Sequence, residues 1–273
     1  MMKRRVLLSA IMLFFSCALS AQEEENQEEP TKGFTTNIQL HSNVSTLMYG
    51  KGSSLASSLP LFTTTFEGNG WDNLGSTYYF IDLEFGNVNN KGDNRLAGNY
   101  FELCREWCFW SKSKAKDLTI HTEVDAGVGY GGDSFGTTQM GWDFTSAFLL
   151  GLSYSWFGDD YFTQIQALSR YELKDRYGSG GEGWQLTFVW SYTPVDWFEF
   201  SGYMDLNQNP LGKGLNDAKT VHLALEPYIW FKINSSWAFG SRVRFTYNCY
   251  QGTEGFDQKV YCAPTVAARW TIF

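Results

Sequence analysis

The sequence predicts an all-β protein, a transmembrane antiparallel up-and-down β-barrel of about twelve strands. Hydrophobic residues make up 43% of the 273 positions and aromatic residues 18%, yet the mean hydropathy is only -0.29. Apolar and polar residues must therefore be finely interleaved, which excludes a bundle of membrane-spanning helices. From Phe34 onward the dominant period is two, in about twelve segments close to the about 9–11 residues that a tilted membrane strand requires.

The first 33 residues are predicted to lie outside the barrel. Three basic residues precede an apolar run over residues 6–19 that ends in small residues, which predicts a cleaved signal peptide over residues 1–21. Residues 22–33 are rich in Glu and are expected to form a disordered acidic leader, which leaves residues 34–273 for the barrel. The net charge is already -8 and the signal contributes only basic residues, so the exported chain would repel phosphates and no nucleic-acid partner is expected.

The predicted strands form a meander with no convincing helical stripe between them. In order they are 34–41, 61–66, 76–85, 99–110, 118–130, 146–156, 161–173, 184–192, 198–206, 220–231, 237–250 and 260–273. Every second connection is long or rich in Gly and polar residues, and the others are mostly short, with 67–75 the longest of them. Long loops at one end and tight turns at the other are typical of bacterial outer-membrane barrels, so we expect that location, with both termini in the periplasm.

Alternation within the strands favours a membrane barrel over a soluble one. In residues 118–125, Leu118, Ile120 and Val124 share one face, while His121 and Glu123 share the other. A soluble barrel would have to bury all its large apolar side chains in a small lumen, which has no room for so many rings. The apolar face is therefore expected to contact outer-membrane lipid.

Projecting the period of two onto each strand gives a lumen with two charged walls. The acidic wall, with one histidine, consists of Asp82, Glu84, Glu102, Glu106, His121, Glu123 and Asp125. The basic wall consists of Arg242, Arg244, Arg269 and, beside Glu172 on an earlier strand, Arg170. Opposed walls would create a transverse field that orients dipolar solutes. Alternatively, the charges pair across the lumen and brace the barrel.

Aromatic residues also fall on the inner face. They are Tyr78, Phe80, Phe162, Tyr203, Tyr228 and Trp230. Flat rings beside hydrogen-bonding groups would suit the stacking of a nucleobase. Inward aromatic residues that simply fill space in a small barrel are the alternative.

Arg105 departs from this pattern because it occupies the apolar parity of its strand. A charge facing lipid at the midplane costs about 2–4 kcal/mol. Either a bulge swings Arg105 into the lumen, where it could pair with Glu102 or Glu106, or it snorkels to an interface. We favour the bulge.

The sequence offers little support for an enzyme. All three histidines fall on the lumen parity, no Ser, His and acid spacing stands out, and no cluster of metal ligands is apparent, so we expect no catalytic residue, metal or cofactor. Cys104 and Cys108 would lie about 13 Å apart on one strand and cannot bridge. Cys249 and Cys262 flank the last long loop with matching parity, so they could form a disulfide or remain two free thiols.

Three segments resemble a known family. Residues 38–41 (IQLH), 71–82 (WDNLGSTYYFID) and 100–106 (YFELCRE) are similar to the nucleoside-specific outer-membrane channel family (Tsx-like), and more closely to its uncharacterised relatives in Bacteroidetes. The resemblance implies a narrow, monomeric, twelve-stranded barrel that passes nucleosides through a lumen of aromatic and ionisable residues. The residues that match within these segments are Asp82, Glu102, Arg105 and Glu106.

The sequence as a whole predicts a passive outer-membrane channel for small polar solutes such as nucleosides. Weak successive contacts with lumen residues would favour entry without trapping the solute. A non-transporting barrel whose long loops bind a surface partner is the first alternative. An outer-membrane lipid hydrolase is the second, and it would require an outward-facing His and Ser.

Overall fold

The barrel is built from the parts of the chain that the computed structural model describes. These are residues 33–49, 59–87, 94–132, 139–173, 180–209, 220–247 and 260–272. The predicted signal peptide and nearly all of the predicted leader lie outside these ranges. In the described parts of the chain, no helix is long and apolar enough to cross a membrane.

The described residues form twelve strands and one helical turn, α1, at Thr46–Tyr49. The strands are β1 Gly33–Asn43, β2 Phe62–Asp72, β3 Gly75–Asn87, β4 Asn94–Trp107, β5 Leu118–Gly132, β6 Gln139–Phe157, β7 Tyr161–Glu172, β8 Gly181–Val195, β9 Phe198–Asn209, β10 Thr220–Lys232, β11 Trp237–Tyr247 and β12 Val260–Thr271. Each strand pairs antiparallel with the next, and β12 pairs back onto β1 from Asn37↔Thr271 to Asn43↔Thr265. The closed twelve-stranded antiparallel barrel confirms the predicted fold, and closure leaves no strand edge unpaired.

The connection predicted over residues 67–75 is wrong in extent. β2 continues to Asp72, and the turn to β3 consists of only Asn73 and Leu74. The residues between Phe66 and Trp71 include Gly68 and Gly70, which weaken the strand pattern in the sequence because glycine brings no side chain to the pleated surface. Because β2 extends to Asp72, Glu67 lies within the strand and faces the lumen.

Alternate residues face opposite sides of the barrel wall. On β6, Ala147 and Leu149 are 1% and 2% exposed, whereas Phe148 and Leu150 are 50% and 58% exposed. On β7, buried Gln166 alternates in the same way with the exposed Ile165. A closed barrel whose outer face is apolar and whose inner face is largely polar is the architecture of outer-membrane proteins, and the chain is an outer-membrane β-barrel.

Aromatic residues gather where the strands meet the short turns. Exposed members of this girdle are Trp156, Tyr161, Trp197, Trp237 and Trp270. Trp237 and Trp270 lie on neighbouring strands with their rings stacked at 6.0 Å between centroids. Amphipathic rings favour the boundary between hydrocarbon and headgroups, so the girdle marks one membrane interface.

The turn before β3 requires a glycine. Gly75 has φ +132°, and a Cβ at this position would lie 1.9 Å from the backbone oxygen of Glu106. We expect Gly75→Ala to lower the free energy of unfolding by about 1–3 kcal/mol, since the backbone is strained for any residue with a Cβ. Gly86→Ala is the matched control on the same strand, because its Cβ would meet its nearest atom at 3.5 Å. Urea unfolding in lipid vesicles, followed by tryptophan fluorescence, measures both variants; equal stabilities would contradict the prediction.

Candidate functional site

The lumen contains a cavity of about 340 Å³. Most of its lining residues lie nearer the short turns than the long connections, as Ser76, Tyr78 and Phe80 do on β3. Six carboxylates line it, namely Glu67, Glu102, Glu106, Glu123, Glu199 and Asp205. Among the lining side chains, Arg269 is the one arginine or lysine. The wall of the cavity is therefore strongly acidic, with uncharged Gln, Ser and Thr side chains between the charges.

A layer of ion pairs lies on the side of the cavity nearer the long connections. Arg242 on β11 reaches Asp82 on β3 at 3.3 Å and Glu226 on β10 at 3.7 Å. Arg244 also pairs with Glu226, and the Thr65 hydroxyl donates to Asp82. The side chains of Arg242 and Asp82 are only 7% and 5% exposed. Because four strand-to-strand steps separate β3 from β11 around the wall, this contact crosses the lumen.

A second group of ion pairs surrounds Arg170 on β7. Its guanidinium donates to Asp125 at 2.9 Å, to Glu172 at 3.2 Å and to the side-chain oxygen of Gln185 at 3.0 Å. Asp125 is 2% exposed, and its Oδ1 atom has no hydrogen-bond partner. The two predicted charged walls thus exist, and in this layer they also pair with one another.

A third group of ion pairs lies at the short-turn end of the cavity. Arg269 donates two hydrogen bonds to Glu199, at 2.8 and 2.7 Å, and Lys232 adds a contact at 3.3 Å. The guanidinium also lies 4.6 Å from the centroid of the Trp230 ring. This bidentate geometry neutralises Glu199, so it contributes little to the negative charge of the cavity.

His121 is enclosed by two carboxylates. Its Nδ1 atom lies 2.7 Å from Glu106 Oε1, and its Nε2 atom lies 2.9 Å from Glu123 Oε2. The hydroxyls of Thr119 and Ser153 both donate to the other oxygen of Glu106. His121 is fully buried. Glu106 also accepts a hydrogen bond from Gln166 on β7 at 3.5 Å, so partners on three strands hold it and the ring has one fixed orientation.

The sequence analysis missed several residues of the cavity, namely Glu67, Glu199, Asp205 and Cys104. Cys104 has the most reactive side chain among them. Its thiol lies 3.2 Å from Glu102 and 3.5 Å from Glu123. One potential ligand atom each from Cys104, His121 and Glu123 lie within 4.8 Å of one another, and so do atoms of Glu102, Glu123 and Asp125. The sequence suggested no such cluster. The available signal was parity, because Cys104 alternates with Glu102 and Glu106 on the inner face of β4.

The predicted inner aromatic residues line the cavity. All six do so: Tyr78, Phe80, Phe162, Tyr203, Tyr228 and Trp230. Tyr78 and Phe80 lie 6.1 Å apart, and Tyr228 stacks near Trp230 at 6.4 Å, both between ring centroids. The cavity therefore combines flat apolar surfaces with carboxylates and amides, although a binding role for these rings stays a prediction.

The prediction that Arg105 enters the lumen is wrong. Arg105 keeps the outward parity of β4, and the one irregularity between β3 and β4 lies at Glu84 and Phe85 instead. Its guanidinium donates to Asp72 at 2.7 Å and to Thr77 at 2.9 Å, and lies 4.9 Å from the Trp107 ring. Asp72 is the last residue of β2, so Arg105 reaches the membrane interface and satisfies its charge there.

The lumen is also less polar than the alternation predicts. Ala147, Leu149 and Leu168 point inward and form a buried apolar cluster between β6 and β7. The small Gly151 follows on the same face, and a Cβ there would lie 2.0 Å from the backbone oxygen of Ala167. One side of the barrel interior is thus packed rather than hydrated.

The cysteines carry no disulfide within the described residues. Cys104, Cys108 and Cys262 are free, and the predicted pairing of Cys262 involves Cys249, which lies outside the described ranges. Cys108 lies in the turn after β4, and its thiol donates to the backbone oxygen of Lys116. Burial raises the pKa of the Cys108 thiol above its ordinary value, which lowers the fraction present as the nucleophilic thiolate.

Comparisons with known proteins identify a family and a fold. A family model described as "Domain of unknown function (DUF5020)" matches residues 35–272. No curated protein sequence matches the chain. Among solved structures, the NanC porin aligns with a TM-score of 0.51 at 10% identity, over 87% of this chain and 100% of that one.

Two further solved structures are similar at lower scores. The KdgM porin has a TM-score of 0.42 at 8% identity, over 88% of this chain and 100% of that one. OmpT of Vibrio cholerae has a TM-score of 0.42 at 8% identity, over 92% and 100%. At these identities the likeness to NanC shows a shared barrel fold. The family description states no function, so the resemblance to nucleoside-specific channels stays a prediction.

Proposed function

The chain belongs to the DUF5020 family, and we propose that it is a passive outer-membrane channel for small polar solutes that are neutral or cationic, with nucleosides as the favoured class. The observation that carries the proposal is the cavity of about 340 Å³ inside a closed membrane barrel, lined by carboxylates, amides and aromatic rings. Its volume falls within the range of about 300–1,000 Å³ that is usual for small-molecule sites.

The arrangement of the lumen suits selection followed by release. A solute arriving from the long connections first meets the layer formed by Arg242, Asp82, Arg170 and Asp125, where charges of both signs are already paired. Beyond this layer it enters the cavity, where single hydrogen bonds are available from Gln and Ser side chains. Contacts of this kind are numerous but individually weak, as passive conduction requires.

The charge of the cavity favours neutral and cationic solutes over anions. Of its six carboxylates, Glu199 is neutralised by Arg269, and Glu106 and Glu123 share His121. Glu67 and Asp205 accept hydrogen bonds from uncharged side chains, those of Asn37 and Thr187 respectively. The remaining negative potential should repel a phosphate group strongly, because the wall has a low dielectric constant.

The aromatic rings favour a solute with a flat apolar face. Tyr78 and Tyr228 present rings to the cavity beside the carboxylates of Glu102 and Glu67. The base of a nucleoside could stack on such a ring while the hydroxyls of its ribose donate to a carboxylate. Base stacking on an aromatic side chain is worth about 1–3 kcal/mol, so one or two rings suffice to distinguish a nucleoside from a sugar.

We expect liposomes containing the purified barrel to swell faster in a nucleoside than in a sugar of equal size, and slowest in the corresponding nucleoside monophosphate. Tyr228→Ala should reduce the ratio of nucleoside to sugar uptake several-fold. Tyr171→Ala is the matched control, because Tyr171 is exposed on the lipid face. Equal uptake of nucleoside and sugar would remove the nucleoside preference, faster uptake of the monophosphate would remove the charge argument, and no uptake of any solute would remove the channel.

A non-transporting barrel is the second candidate, and the ion pairs across the lumen favour it. Asp82 and Arg242 join strands four steps apart across the lumen, and Leu149 and Leu168 fill part of the interior. Single-channel recording in planar bilayers separates the two candidates, since a braced and closed lumen gives no conductance steps. A lipid hydrolase finds less support, because His41 and His121 are buried on the inner face, away from lipid.

A further inference from the structure

We propose that the inner wall of the barrel carries a binding site for a divalent transition-metal ion of the zinc class. The ligands are the Cys104 thiolate, His121 Nε2 and the Glu123 carboxylate, and the fourth position of a tetrahedral ion would be taken by water. These residues lie on the neighbouring strands β4 and β5, which fixes their separation. The inference rests on the geometry of these side chains and is independent of the proposed channel function.

The spacing of the donor atoms is close to that of a tetrahedral site. His121 Nε2 lies 2.9 Å from Glu123 Oε2, which lies 3.5 Å from the Cys104 sulfur. The same sulfur lies 3.2 Å from Glu102. Zinc bonds of about 2.0–2.3 Å place tetrahedral ligands about 3.3–3.7 Å apart. His121 and Glu123 therefore need to move apart by only a few tenths of an ångström to bind one ion together, and the Cys104 sulfur already lies at a suitable distance from Glu123.

Glu106 supplies an independent indication of a metal site. It accepts a hydrogen bond from His121 Nδ1 at 2.7 Å, which directs the opposite nitrogen, Nε2, towards Cys104 and Glu123. Glu106 is itself held by the hydroxyls of Thr119 and Ser153. A histidine that binds a metal commonly donates its other ring proton to a carboxylate in this way, which fixes the orientation of the ring. Glu106 is thus a positioning residue.

The donor types indicate which ion would bind. Calcium and magnesium prefer oxygen ligands, whereas a thiolate together with an imidazole favours zinc and its transition-metal neighbours. The surrounding charge also favours a cation, because the carboxylates of Glu102, Glu123 and Asp125 approach one another within 4.8 Å. One oxygen of the buried Asp125 has no hydrogen-bond partner. Arg170 neutralises only part of this negative charge.

The site is accessible from the cavity. Cys104, Glu102 and Glu123 all contribute to the cavity lining, so an ion can reach them without any opening of the wall. Binding exchanges protons for the metal: the thiol loses its proton, any proton on His121 Nε2 is displaced, and both leave to solvent. Glu123 then exchanges its hydrogen bond from the histidine for a bond to the ion.

Cobalt(II) titration of the folded barrel in detergent tests the proposal. The wild-type protein should bind one Co²⁺ with an intense near-ultraviolet thiolate-to-cobalt charge-transfer band, and Zn²⁺ but not Mg²⁺ should displace it. Cys104→Ser should abolish the band, whereas Cys108→Ser, a change at a buried thiol outside the cluster, should leave it intact. Absence of the band in the wild-type protein would overturn the proposal, and so would its persistence in Cys104→Ser.

Glu106→Gln provides a second measurement if the cysteine variant fails to fold. It retains all three protein ligands and should show the same band with an affinity about 10–100-fold weaker. An unchanged affinity would show that His121 does not bind through Nε2 and would overturn the assignment. Because metal binding is read in detergent without transport, failure here leaves the liposome results unaffected, and a barrel that conducts nothing can still bind the ion.

Discussion

Replacing Arg242 with glutamine is expected to lower the free energy of unfolding by about 3–5 kcal/mol, since removing one member of a buried ion pair leaves the other charge uncompensated. Asp82 would lose its guanidinium partner and keep only the hydroxyl of Thr65, while Glu226 would still pair with Arg244. The chain contains 11 tryptophans, so urea unfolding in lipid vesicles can be followed by their fluorescence.

The double variant Asp82→Asn with Arg242→Gln is the matched control for this prediction. It removes both charges, so it should be more stable than the single Arg242→Gln variant. The single variant should also make the lumen more selective for cations, measured as a shift in reversal potential under a salt gradient. A loss below about 1 kcal/mol in the single variant would mean that water screens the pair, as at a surface.

Replacing Leu150 with arginine has the second-largest expected effect, a loss of about 2–4 kcal/mol in the free energy of unfolding. Leu150 is 58% exposed on the lipid face of β6, seven residues before the end of the strand at Phe157. At about 2.3 Å of depth per residue on a tilted strand, this places Leu150 near the bilayer midplane. There a guanidinium can reach neither interface without distorting the membrane.

Trp156→Arg is the control for the Leu150 variant. Trp156 shares the outward face of β6 and is 45% exposed, but it lies at the short-turn end of the strand, where arginine costs about 0–1 kcal/mol. The difference between the two variants should vanish in detergent micelles, which have no fixed midplane. Equal losses in vesicles would mean that the aromatic girdle does not mark the interface.

The alternation of residues was sufficient to predict the faces of the strands. Along residues 118–125 the period of two separates Ile120 and Val124 from His121 and Glu123, and the structure places each on the expected side. The same reasoning identified the inner aromatic residues. Period is a local property, so it can be derived from a single sequence without knowledge of the neighbouring strands.

The partners of these residues could not be predicted in the same way. Whether Arg242 meets Asp82 depends on the register of every strand between β11 and β3 and on the tilt that closes the barrel. Arg105 shows the same limit, because its partner Asp72 belongs to the end of β2, a segment that Gly68 and Gly70 made look like a loop. The convergence of Cys104 with His121 likewise required the pairing of β4 with β5.

The alternation of faces also separates two evolutionary constraints. On β6, Leu150 is constrained by its contact with lipid, whereas Ser153 is constrained by its hydrogen bond to Glu106 in the interior. Substitutions on one face leave the other untouched, so the interior can diversify while the exterior drifts among apolar residues. Residues of the interior can thus change without altering the apolar surface with which the barrel inserts into the membrane. Such independence is compatible with the similar barrel fold of this chain and NanC at only 10% sequence identity.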